Sequence, residues 1–108
     1  MLEAGLFHLE LANLGRRPAL NVSCRFDEPL TGMHERVVTQ LPLFENVPFL
    51  MPGKRIRTLL DSSAAYFARG EPTTITVAVS HQDQNGRRHR TTIEHNLEIY
   101  RDLVYLAP

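Results

Sequence analysis

The sequence predicts an all-β fold, an antiparallel two-sheet sandwich, and three observations carry that expectation. Apolar and polar residues alternate at period two in four segments. Turn chemistry built from Gly, Pro, Asn and Asp separates those segments at short intervals. The 108 residues, 43% of them apolar and 22% charged, suit one globular core and leave little room for a second domain.

The first strand starts at Leu6, where Phe7, Leu9 and Leu11 alternate with His8, Glu10 and Ala12. Residues 13–18 break it with turn chemistry and two exposed arginines. Leu20, Val22, Cys24 and Phe26 then share one face of a second strand, with Cys24 as a buried free thiol. Residues 27–34 form a loop, and residues 35–40 read as a short strand near an edge. Residues 41–48 are apolar but interrupted by Pro42 and Pro48, so a turn that plugs one end of the core is expected. Pro52-Gly53 suits a type II turn, and residues 54–60 make the next strand with Ile56 and Leu60 buried.

One stretch departs from period two. Asp61, Ser62 and Ser63 offer N-caps to an alanine-rich run that Gly70 stops, which predicts a helix over 62–69. Two turns of helix are unstable alone, so Tyr66 or Phe67 must dock on the sandwich. Residues 73–81 give the clearest strand, with Ile75, Val77 and Val79 inward. Residues 83–86 make a hairpin turn, and residues 89–99 return with Thr91, Ile93, His95, Leu97 and Ile99 inward. Face parity demands a three-residue loop with Gly86 in a left-handed bulge, which sets His81 opposite His89. The predicted core is Phe7, Leu9, Leu11, Leu20, Val22, Phe26, Ile56, Ile75, Val77, Val79, Ile93 and Leu97. The last residues, 103–106, are too apolar for a free tail, so they pack on the sandwich or mark an excision from a longer chain.

Several turn motifs recur together and in order: Asn13-x-Gly15, Pro18-Ala19-x-Asn21-Val22, Leu50-x-Pro52-Gly53, Ile75-x-Val77 and Asp83-x-x-Gly86. In this layout the chain resembles the bacterial immunoglobulin-like sandwiches of the CARDB type, the cell-adhesion-related domains. The resemblance runs from residue 6 to residue 100. It implies an immunoglobulin-like sandwich serving as an accessory module on a larger chain, often a membrane or surface protein. It carries over no catalytic residue. The helix at 61–69 and the histidines depart from the pattern.

Chemistry is sparse. A single cysteine excludes an intrachain disulfide framework and any multi-cysteine zinc site. His81, His89 and His95 fall near the last hairpin, but His95 lies several rungs from the other two, too far to complete a metal site. No metal, cofactor or catalytic residue is expected. Asp27-Glu28 diverge on extended chain, Ser62-Ser63 are explained by capping, and the six glycines stand singly at turns rather than in a phosphate loop. An enzyme is therefore not expected. Twelve basic and twelve acidic residues cancel, which removes any global field toward nucleic acid or an anionic membrane. Arg16-Arg17, Lys54-Arg55 with Arg57, and Arg87-Arg88 with Arg90 read as solvated turns and protected strand edges. No apolar run approaches the ~20 residues of a membrane span, and no signal peptide opens the chain.

The sequence thus leads to a non-catalytic interaction module of a larger bacterial protein, with another protein or a neighbouring domain as partner. The alternatives are a carbohydrate- or ligand-binding module, which needs exposed aromatics such as Tyr66, Tyr100 or Tyr105, and a structural oligomerising domain. The pair of interest is His81 and His89, where two imidazolium ions on facing rungs would repel.

Overall fold

The computed structural model describes residues 2, 3 and 5–101. Its strands are β1 (Leu2–Glu3), β2 (Leu6–Ala12), β3 (Ala19–Phe26), β4 (Val47–Leu50), β5 (Arg55–Ser62), β6 (Thr74–Gln82) and β7 (Arg88–Asn96). Two short helices interrupt them, α1 (Pro42–Glu45) and α2 (Ser63–Ala68). All strand pairings are antiparallel. One sheet has the order β1-β2-β5 and the other β4-β3-β6-β7, and they pack face to face as an all-β sandwich. The tail at 103–106 lies outside the described residues.

The inward residues of β2, β3 and β6 meet as period two requires. Phe7, Leu11, Val22, Ile75, Val77 and Leu97 are buried, and Leu9, Phe26, Ile56 and Val79 pack against them. Two members of the expected core are elsewhere. Leu20 turns outward because β3 carries a β-bulge: from Leu20↔Gln82 to Ser23↔Ser80 it takes one more residue than β6. Asn21 sits at the bulge with φ +50, and its side-chain amide donates to Gln82 at 3.1 Å. Parity flips there, so Ala19 packs inward with Leu50 while Leu20 pairs with the exposed Phe49. Ile93 is 40% exposed, because β7 is the outer strand of its sheet and every residue along it is exposed.

The lower end of the sandwich is closed by irregular chain. The short strand expected at 35–40 is instead a pair of 3-10 turns, Met33–Glu35 and Val38–Gln40, touching the β pattern only at the bridge Thr31↔Val37. The reason is burial: Leu30, Val38 and Phe44 must cap the core, and a strand running along an edge would not bring them there. Val38 N–H donates to Leu30 O at 2.9 Å, and Gly32 N–H to Arg36 O at 2.8 Å. Gly32 is required, since a Cβ there would stand 1.9 Å from Leu60 O. The expected plug at 41–48 is the single turn α1, with Phe44 edge-on to Phe26, and the chain then enters β4.

The helix and the hairpin form as expected. Ser62 caps α2 by accepting from Ala65 N–H, and Gly70 follows it at φ +70. Tyr66 is wholly buried, stacks edge-on with Phe7, and donates to Pro72 O at 2.5 Å. Burial pushes its hydroxyl pKa up to about 12. Met51 O accepts from Lys54 N–H at 3.0 Å around Gly53, completing the expected turn. The last hairpin closes with Gly86 at φ +78 and Asp83 N–H donating to Arg87 O at 2.9 Å, in the register His81↔His89. The return strand ends earlier than expected. Asn96 accepts from Glu98 N–H at 2.9 Å and starts a 3-10 turn, Leu97–Tyr100, that swings Tyr100 onto Phe7 and leaves Ile99 63% exposed.

Candidate interaction surface

Four strands face three, and the mismatch leaves one side of the sandwich open. β1 pairs only with Leu6 and Phe7, so beyond Phe7 the outer edge of β2 carries no strand among the described residues. Across the gap, Thr91, Ile93 and His95 of β7 stand opposite Val79, Val77 and Ile75 and look toward that bare edge. The gap is a cavity of about 260 Å³ bounded by His8, Leu9, Leu11, Val77, Ile93 and His95. Its lining is mostly apolar, with Phe26 and Phe44 beside the aliphatic residues and His8, Glu10 and His95 as the polar members.

The upper end of this seam opens into a larger cleft of about 650 Å³, walled by the 13–18 loop and the last hairpin. Asn13 builds that loop. Its carboxamide donates to Arg17 O and to Leu50 O, both at 2.9 Å, and accepts from Gly15 N–H at 2.9 Å. Its backbone exchanges bonds with Gly53 and Lys54. The Asn13-x-Gly15 and Leu50-x-Pro52-Gly53 motifs therefore meet in space as one corner.

His81 and His89, the paired residues of interest, are brought together on facing rungs. Their rings stack at 5.0 Å with 16° between planes. The sequence reading missed a third member, Asp83, whose Oδ2 lies 2.9 Å from His89 Nε2 while Oδ1 accepts from Asn85 and Arg87 N–H. Its position immediately before the three-residue loop 84–86 was the available signal. The hydrogen bond to His89, followed by those from the loop amides, holds the Asp83 carboxyl below its ordinary value. The third histidine of the region, His95, pairs with Ile75 near the far end of β7. Among the described residues no group of three His, Cys, Asp or Glu side chains could hold a metal ion. Cys24 is half-buried, and desolvation raises its thiol to about 11, away from thiolate chemistry at neutral pH.

Residues 2–101 match the family model of a domain of unknown function, DUF8453. The chain belongs to the DUF8453 family. No curated protein and no solved structure matches it. The match spans this DUF8453 domain from β1 to the 3-10 turn after β7, so both walls of the seam lie within it. Of the tyrosines considered for a sugar site, Tyr66 and Tyr100 both stack on Phe7. Tyr105 lies outside the described residues. Among the described residues no helix is long and apolar enough to cross a membrane.

Proposed function

We propose that this DUF8453 domain is a non-catalytic, immunoglobulin-like interaction module of a larger bacterial protein, and that it docks partners along the seam between β2 and β7. The observation that carries the reading is the bare edge of β2 past Phe7 facing the exposed inner side of β7. An extended segment laid there gains main-chain hydrogen bonds from an edge and a floor for alternate side chains. The partner this suits is an extended protein segment with an apolar residue at every second position.

The strand orders support the immunoglobulin-like part of the reading. β1-β2-β5 follows the A-B-E order, and β4-β3-β6-β7 follows C′-C-F-G. Tyr66 sits in the connection that would be E to F and bonds backbone with its hydroxyl, as a tyrosine corner does, although here the acceptor lies downstream. The turn motifs shared with CARDB-type domains point the same way.

The test is amide chemical-shift mapping with an extended peptide of alternating valine and threonine. Shifts confined to residues 8–12 and 91–95, abolished by Ile93→Lys, are expected. No response there, or an equal response in Ile93→Lys, overturns the seam as the docking face.

A further inference from the structure

The zero net charge conceals a separation of charge along the molecule. All three basic clusters converge on the hairpin end of the sandwich, because the 13–18, 51–54 and 83–87 turns lie at the same end of their sheets. Arg16, Arg17, Lys54, Arg87, Arg88 and Arg90 are exposed there. Each is without an ion pair among the described residues. Glu10 and Asp83 at that end are engaged with Arg55 and His89, and Glu45 is the one exposed carboxylate among the described residues that lines a hollow with Arg88 and Arg90.

The opposite end has the reverse character. Asp27, Glu28, Glu35 and Glu94 are exposed and outside any ion pair, against two such guanidinium groups there, Arg25 and Arg36, among the described residues. The other arginines at that end are bound: Arg69 to Asp61 and Glu71, and Arg101 to Glu98. The nearest members of the two groups, Arg90 and Glu94, stand four residues apart on β7, about 13 Å at ~3.3 Å per residue and beyond the ~10 Å screening length at 0.1 M salt, so the ends act as separate patches of opposite sign.

The geometry points to end-to-end docking of copies, the basic hairpin end of one domain on the acidic end of the next. The contact uses charged side chains at the two ends of the sandwich rather than the apolar floor between β2 and β7, so salt dependence separates this reading from docking in the seam. Charge complementarity selects a second copy, since each molecule carries both halves of the contact. Such a contact is heterologous and propagates into open chains rather than closing as a dimer. Being made of exposed charges, it is weak and salt-sensitive, and it sets orientation more than affinity.

Sedimentation equilibrium at 10 and 300 mM salt reads it directly. The apparent association constant should rise about tenfold or more at the lower salt, where the screening length grows to ~30 Å. A variant acidic at both ends (Arg16→Glu, Arg17→Glu, Arg88→Glu) and one basic at both ends (Glu28→Arg, Glu35→Arg, Glu94→Arg) should each stay monomeric alone. Mixed in equal amounts, they should associate, with the circular dichroism of each variant alone checking that both remain folded. A wild-type monomer at 10 mM salt, or a mixture that does not associate, overturns the proposal. Retention of the wild type on heparin without self-association overturns it too and assigns the basic end to a polyanion.

Discussion

Asn13 uses every hydrogen-bonding group of its side chain to hold the corner between β2, the 13–18 loop and the end of β4. No other residue type presents two donors and an acceptor at that reach in one short, planar group. Asn13→Ala should therefore lower stability by about 1–3 kcal/mol in urea unfolding, because Leu50 O is left part-buried without that donor. At Asp83 the effect is pH-dependent. Its carboxyl is held below the ordinary value of 3.8, first by His89 and then by the loop amides. A lowered folded value means that the unfolded chain takes up the proton first. The contribution is thus complete above the unfolded value and fades as pH falls through the folded one. Asp83→Asn should flatten the acid limb of stability below pH 4 while keeping the loop bonds, as acid titration followed by circular dichroism can test.

The helix α2 illustrates how an element too short to persist alone is held in place. Its N-cap satisfies one amide, but its position comes from three attachments: Tyr66 in the core, Phe67 on Phe7, and the side chain of Arg69 just past its end. Arg69 bonds Asp61 of β5, Thr31 O and Glu71, so it ties the helix to both the sheet and the lower loop. Asp61 is 3% exposed and turned inward by the bulge between Phe7 and His8, where β5 takes one residue more than β2. Arg69→Ala takes the guanidinium from Asp61 Oδ2 and leaves only the Ser62 N–H bond to Oδ1, and chemical denaturation should register a loss of about 1–3 kcal/mol, discounted because the guanidinium itself is partly exposed. The lower loop has a tighter constraint. Gly32→Ala drives a methyl into Leu60 O, which cannot move without disturbing β5. A drop of about 1–3 kcal/mol, or failure to fold, is expected on thermal melting; an unchanged Tm would show that the loop slides off the sheet at no cost.

Across the whole molecule the two sheets are unequal in width, and protection should follow that inequality. β3 and β6 are central, flanked on both sides and backed by the core, whereas β7 has a partner on one side and no buried residue. Hydrogen exchange should find β6 amides bonded to β3 exchanging only through global unfolding, with the outward amides of β7 exchanging orders of magnitude faster. Uniform protection across β6 and β7 would mean that the seam is covered in solution. An extended segment docked there should slow the β7 amides and leave β3 unchanged.

Local pattern alone determined a good deal of this protein: the alternation in β2 and β6, the capped helix at 62–69, and the hairpin register that sets His81 against His89. Each of those depends on neighbours within a few residues, through pleat parity, a cap or a turn geometry. Tertiary structure decided the remainder. An extra residue at Asn21 reversed the facing of Leu20, and nothing in the alternation before it signals a bulge. Leu30, Val38 and Phe44 became core because the open end of a sandwich needs a lid, a demand that exists only once two sheets are stacked. Ile93 has the same inward parity as Val77 and is nevertheless exposed, since parity says which way a side chain points and only the opposing sheet says whether anything meets it. The charge separation arose in the same way: three scattered basic clusters became one patch when antiparallel pairing gathered their turns at a single end.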